Sequence, residues 1–241
     1  MRAKLVYFGE KVAAIAKPAG LSLATSQRDE EGAVTRLLAA LSNSDRAKML
    51  QGWSLVHRLD SGTSGLTLLA HGPLARKELS ALFSSGTVHR RYLALVWGEP
   101  HSAAGRFAWA LGPDPADRRK MRVDSSGKAA ATRYRVLAST PIASLLELVP
   151  ETGRTHQIRV HLAEAGHSIL GDDFYGRLRH IPTGVTAAER RRLQPGRPLL
   201  HAWKLDLPET KISPLLSLEA PLPEDFKIVL KKLNITLPED H

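Results

Sequence analysis

Asp60 is the carboxylate in this chain best placed to do chemistry. It lies in His57-Arg58-Leu59-Asp60-Ser61-Gly62-Thr63-Ser64-Gly65-Leu66, a polar turn between an apolar run at Trp53, Leu55 and Val56 and another at Leu66, Leu68 and Leu69. A guanidinium and an imidazole two and three residues away favour the ionised form. An ionised, positioned carboxylate serves as a nucleophile or a general base. Taken alone, an Asp in a turn most often closes an Asx turn. Two further segments shift that balance.

The first is Thr152-Gly153-Arg154-Thr155-His156-Gln157-Ile158-Arg159-Val160-His161-Leu162. It sets Arg154 at a strand end just ahead of a helix N-terminus, a place suited to an anionic partner. The second is Gly166-His167-Ser168-Ile169-Leu170-Gly171-Asp172-Asp173-Phe174-Tyr175-Gly176, which reads as a packed turn. Other site types fail on spacing. There is no P-loop and no Gly-x-Gly-x-x-Gly. Gly62-Thr63-Ser64-Gly65 is not a nucleophile elbow, and no base stands at a suitable spacing for a hydrolase built on Ser64. His156 and His161 are five apart and miss the spacing of two ligands on one helix face. The ten histidines form no metal-ligand set, so no metal is expected.

The elements that hold these segments follow from periodicity. Short strands are expected at Leu5 to Phe8 and Val12 to Ile15, then at Trp53 to Leu59 and Leu66 to Ala70 around the Asp60 turn. Others fall at Tyr92 to Trp97, Phe107 to Leu111, Ala130 to Leu137, Ile142 to Val149, Leu199 to Leu207 and Leu215 to Leu218. Helical spacing marks Ala33 to Leu41, Pro73 to about Gly86, the stretch through Ala165 closed by Gly166, Ala187 to Leu193, and Phe226 to Leu233. Residues 22–32 and Ser42 to Ala47 read as loop or helix end. Gly112 to Lys128 is a basic excursion expected to be a mobile loop near the cleft, and 176–199 is a basic insertion. Strands dominate and βαβ alternation is absent. The expected class is therefore α+β, with a mixed, mainly antiparallel central sheet flanked by helices.

Composition bounds the partners. The 241 residues carry 43% hydrophobic residues, enough for one large domain, here expected to span 1–241. Lys and Arg number 34 against 24 acids, a formal charge of +10, with a sequence pI near 10.1. The charge clusters at Arg118-Arg119-Lys120 with Arg122, at Arg190-Arg191-Arg192 with Arg197, and at Arg177, Arg179 and His180. That clustering points to a polyanionic partner more than to solubility alone. With no cysteine, disulfides and Cys-based zinc sites are excluded, and a reducing, cytoplasmic setting is expected. No signal-peptide h-region and no membrane-length apolar stretch is present.

In their order, the motifs resemble the RluA-type family of RNA pseudouridine synthases along nearly the whole length. Lys17-Pro18-Ala19-Gly20-Leu21 is similar to the family's N-terminal Lys-Pro-x-Gly-Leu box, and His57 to Leu66 to its catalytic box. Arg91 to Gly98 resembles its Tyr-containing strand. Gly153 to Leu162, Ile169 to Gly176 and Leu200-His201-Ala202 resemble the later motifs. The resemblance implies a pseudouridine synthase fold with an RNA-binding cleft. It implies Asp60 as the catalytic aspartate, Tyr92 as the ring packing on the target base and Arg154 as the partner of the aspartate. It also implies Arg58 as an RNA contact, Ile158 as an apolar wall, and His57 and Thr63 as further substrate-binding residues. No cofactor is implied. The partner is structured RNA, ribosomal or transfer, for a monomer with no obligate protein partner. The family's S4-like accessory domain is expected to be absent.

The loop cations Arg118, Arg119, Lys120 and Arg122 are a further RNA-binding expectation, from charge and turn composition. Arg190 to Arg192 read instead as a solvated helix face. The competing function is a non-catalytic RNA-binding or ribosome-assembly protein on the same scaffold.

Overall fold

A computed structural model describes residues 2–23, 30–41, 44–176 and 180–237. In chain order the elements begin β1 (Lys4–Phe8), β2 (Val12–Lys17), α1 (Glu30–Ala39), α2 (Ser44–Met49), β3 (Trp53–Leu55), β4 (Ser64–His71) and α3 (Pro73–Ser84). Next come β5 (His89–Trp97), β6 (Ala104–Phe107), β7 (Leu111–Pro113), β8 (Met121–Val123), β9 (Thr132–Ser139) and β10 (Ala143–Pro150). The last are α4 (Gln157–Glu164), α5 (Ala187–Leu193), β11 (Leu200–Leu207), β12 (Leu216–Glu219) and α6 (Glu224–Lys232). The chain forms two compact units. One comprises residues 1–90 and 201–222, the other residues 91–200 and 223–241. It passes from the first to the second inside β5 and returns inside β11.

In the first unit, β2 lies antiparallel to β1 and to β4, and β4 takes β3 antiparallel and β11 parallel. β12 pairs antiparallel with β11. Both faces of β2 and β4 are covered, so they read as near-continuous apolar runs. Val12, Ala14, Leu66 and Leu68 face Ala75 and Leu79 of α3, and Ala13, Ile15 and Leu69 face Val34, Leu37 and Leu38 of α1. Pro73 at the start of α3 has no N–H to leave unsatisfied.

In the second unit, β5, β10, β9 and β6 pair antiparallel in that order. A separate hairpin, β7 with β8, carries the basic excursion. It packs Leu111 with Ala130 and Val160 of α4. The expected loop over Gly112 to Lys128 is thus corrected to a hydrogen-bonded hairpin. Asp114 N–H donates to Lys120 O at 2.9 Å across its turn, and Lys128 and Leu111 exchange backbone bonds.

Other elements depart from expectation in similar ways. The expected strand Phe107 to Leu111 splits, because Phe107 and Trp109 turn their rings into a stack with Tyr134 before Leu111 opens the hairpin. β3 ends at Leu55, well short of Leu59. Residues 44–49 are helical where loop or helix end was expected. α5 and the antiparallel β9–β10 pair match the reading. Residues 24–29, Arg177 and Arg179 lie outside the described residues.

Candidate active site

The Asp60 turn is held by groups far away in sequence. Thr63 N–H donates to Asp60 O at 3.1 Å, closing the turn. Ser61 O, next along, accepts from Gly20 N–H at 2.8 Å and from Lys17 Nζ at 3.2 Å. Lys17 is 1% exposed, and its ammonium also donates to Pro18 O and Leu21 O. A buried ammonium is tolerated only when its donors are matched, so Lys17 ties the Lys-Pro-Ala-Gly-Leu turn to the Asp60 turn. Lys17 also lies opposite Gly65 in the β2–β4 register. Thr63 is buried at the foot of the turn, and Arg58 is exposed on it.

His57 is a half-buried ring within this support. Its Nε2 accepts from Leu68 N–H at 3.2 Å, its carbonyl accepts from Thr67 Oγ1, and its ring stacks on Phe83 at 4.3 Å. Burial first, then the charge of Arg90, lowers its pKa to about 3. The ring is therefore neutral at physiological pH. Its acceptor nitrogen is fixed by the backbone, which leaves the proton on Nδ1. This arrangement makes His57, expected as a substrate contact, a support of the turn.

Glycine at 65 has a steric cause. Its φ is +112°, and a Cβ there would run into the backbone of Ala202 on β11. The close approach lets Ser64 Oγ meet His201 Nδ1 at 2.9 Å, while His201 Nε2 meets Ala220 O at 3.2 Å. A base does stand beside Ser64, brought from 137 residues away. However, Ser64 and His201 are each 1% exposed and the far ring nitrogen meets a carbonyl, so the pair locks β4 to β11. It does not form a charge-relay triad.

In the second unit, Tyr92 sits on β5 opposite Leu148 and is buried. Arg154 precedes α4, and Ile158 lies buried in its first turn. His156 takes the N-cap position with φ +55°. Arg154 is positioned by Gln157, which is 4% exposed and uses its whole amide. Oε1 accepts from Arg154 N–H at 3.0 Å and from Thr152 Oγ1 at 2.6 Å. Nε2 donates to Ala131 O at 2.8 Å and to Thr132 Oγ1 at 3.0 Å. His161 Nδ1 also meets Thr132 Oγ1, and burial lowers its pKa. Arg154 Nε donates to Ala129 O at 3.1 Å.

The Gly171 to Gly176 segment anchors the other side of α4. Arg159 and Asp172 form a buried two-pronged ion pair at 2.8 and 2.8 Å. Asp172 Oδ1 also accepts from Phe174 N–H and Tyr175 N–H. Tyr175 OH meets His156 Nδ1 at 2.6 Å and accepts from Met121 N–H, which joins this turn to the hairpin. The four hairpin cations differ in their surroundings. Arg119 is held by Asp117, whose pKa falls to about 2 chiefly through that hydrogen bond. Arg122 lies 3.6 Å from Asp124. Lys120 rests over the Phe174 ring at 4.8 Å, and Arg118 is exposed. Asp60, Arg58, His57 and Thr63 belong to the first unit; Tyr92, Arg154, Ile158 and the hairpin cations belong to the second.

Sequence reasoning singled out Asp60, Tyr92 and Arg154 but missed the supports Lys17, Gln157 and His201. A lysine ending the apolar run of β2 was the available signal for the first. Among the described residues no group of three or more His, Asp or Glu could hold a metal ion. No helix there is long and apolar enough to cross a membrane.

Residues 11–164 match the protein family described as RNA pseudouridylate synthase. The chain is 36% identical over 231 residues to a ribosomal large subunit pseudouridine synthase D of Nitrosomonas europaea, covering 96% of this chain and 65% of that protein. It is 36% identical over 237 residues to the protein of the same name in Neisseria meningitidis serogroup A, covering 98% and 62%. The chain thus spans less than two thirds of the length of these curated relatives. Among solved structures, the human RNA pseudouridylate synthase domain containing 4 superposes with a TM-score of 0.76 at 27% identity, covering 98% of this chain and 95% of that one.

Proposed function

The chain belongs to the RNA pseudouridylate synthase family, and on that premise we propose that it isomerises specific uridines of ribosomal or transfer RNA to pseudouridine in the cytoplasm, with Asp60 as the catalytic carboxylate. The observation that carries the reading is the anchoring of the Asp60 turn by Lys17, Gly20, His57 and the Ser64–His201 pair. A carboxylate held by so many distant groups is preorganised for one geometry.

The reaction breaks the bond from the sugar to N1, turns the uracil and joins the sugar to C5. The C5 hydrogen leaves as a proton and N1 gains one, so no redox partner is needed. Asp60 acts either by attack or by removing a sugar proton. Tyr92 packs on the base, and Arg154, set by Gln157, is the partner of the carboxylate. Ile158 supplies an apolar wall that helps exclude water from the detached base. Arg58 and Thr63 contact the nucleotide. Taking it out of its stack costs a few kcal/mol, and hairpin cations contacting phosphate help offset that cost. In this reading the two units work as one catalytic domain.

The test is release of tritium from RNA labelled at uridine C5, using ribosomal and transfer RNA from cells lacking the protein. Wild type releases it, and Asp60→Asn releases none while keeping its thermal midpoint and RNA affinity. Full turnover by Asp60→Asn would overturn the mechanism, and an inactive wild type would overturn the function.

A further inference from the structure

Arg90, a half-buried residue, differs from the buried cation Lys17 of the first unit. Lys17 gives its donors to three carbonyls, whereas Arg90 Nε is sealed from solvent without an acceptor. No carboxylate among the described residues pairs with it. Its guanidinium lies 5.5 Å from the Phe83 ring centroid, and the same ring stacks on His57. The neighbours are thus a ring and a neutral imidazole, neither of which balances a charge. Around Arg90 the chain runs His89-Arg90-Arg91, basic and without an acid. His57 opens the Asp60 box three residues before the carboxylate, so Arg90 borders the support of the reactive turn.

Holding a cation partly desolvated, against a ring and without a counter-ion, is unfavourable in the isolated protein. The ring offsets part of this through cation–π attraction and fixes the direction of the guanidinium. The same environment strengthens the pull on an incoming anion, and a planar guanidinium matches phosphate oxygens. We propose that Arg90, mounted on Phe83, is the docking site for a backbone phosphodiester of the substrate RNA close to the target uridine. This rests on the reading of the chain as an RNA-modifying enzyme and goes beyond it by assigning a residue outside the hairpin. Arg90 acts in binding and not in the chemical step.

The decisive measurement is the affinity for ribosomal RNA across a salt series, for wild type, Arg90→Gln, Arg90→Lys and Arg190→Gln. The last removes one positive charge from α5 and serves as the control. Arg90→Gln is expected to bind about ten-fold more weakly at low salt. Its salt slope falls by one phosphate contact, about 0.7–0.9. KM rises while kcat holds. Arg90→Lys keeps the slope, and Arg190→Gln matches wild type. Phe83→Leu, which keeps the apolar volume but removes the ring, weakens binding less than Arg90→Gln and keeps the slope.

An unchanged slope in a folded Arg90→Gln, or an equal fall in Arg190→Gln, overturns the proposal. Free phosphate shares the oxyanion chemistry. At constant ionic strength, millimolar inorganic phosphate is expected to leave the His57 ring resonances unmoved while RNA shifts them. Saturable binding of inorganic phosphate at Arg90 would overturn the assignment to RNA. A wild type that binds RNA through Arg90 yet releases no tritium would refute the enzymatic reading while leaving the phosphate site standing.

Discussion

Replacing Gln157 with leucine separates positioning from folding, and the structure sets the size of each effect. The substitution preserves volume and deletes four hydrogen bonds. The groups left behind fare differently. Ala131 O still accepts from Glu151 N–H, and Thr132 Oγ1 still meets His161. The donors that lose their acceptor are Arg154 N–H and the Thr152 hydroxyl, both part-buried. An orphaned buried donor costs about 1–3 kcal/mol, and partial access to water places each near the lower figure. The expected loss is about 2 kcal/mol, or roughly 4–8 °C in thermal midpoint for a chain of this size. Activity well below that midpoint should fall much further, by about 100-fold, because misplacing a positioned group by an ångström has that effect. Gln157→Glu keeps the acceptor for Arg154 and Thr152 and should recover more activity than stability. Calorimetry and tritium release decide the matter. If Gln157→Leu is destabilised as expected but retains wild-type kcat, Gln157 is a core residue and not a positioning one.

Two other outcomes follow from the buried charges. Asp172→Asn leaves Arg159 without its counter-ion, which costs about 3–5 kcal/mol. That lowers the midpoint by roughly 6–20 °C, and the double change Arg159→Met with Asp172→Leu should be less destabilising than Asp172→Asn. Urea titration of the three proteins checks the order. His57 gives a pH dependence of definite sign. Its folded pKa of about 3 lies below the ordinary 6.5, so the unfolded chain binds a proton that the folded chain refuses. Stability is therefore unaffected above about pH 6.5 and declines as pH falls from there toward 3. His57→Gln should flatten the midpoint-against-pH curve in that range, and a parallel curve would show that His57 is not the group responsible.

Much of this architecture is legible in the sequence where one element decides its own shape. Helix α5 falls on its expected span, Ala187 to Leu193, with a Thr186 capping box at its start, and α3 announces itself through Pro73 with its apolar stripe. The antiparallel pair β9–β10 follows from two apolar runs and a short turn. The β7–β8 hairpin does not, because its polar composition matches a loop and its stability comes from Leu111 packing on α4. Phe107 and Trp109 mislead in the opposite sense, since their rings are spent on Tyr134 and His161. The same division holds at the site. Asp60, Tyr92 and Arg154 stand in local patterns, but their supports are defined by partners remote in sequence. Lys17 reaches Ser61 across 44 residues and Ser64 reaches His201 across 137. No window on the chain contains both members of either pair.

The Ser64–His201 contact also sets a schedule for biosynthesis. A ribosome adds roughly 5–20 residues per second, so the 137-residue separation corresponds to roughly 7–27 seconds of translation. Throughout that interval the Ser64 end of β4 awaits its parallel neighbour, presenting backbone groups that invite wrong pairing. The turn bearing Asp60 acquires this anchor only after β11 has been synthesised. A chain truncated before His201 would carry Asp60, Tyr92 and Arg154 and still lack this anchor, so the geometry of the turn is tied to the synthesis of β11.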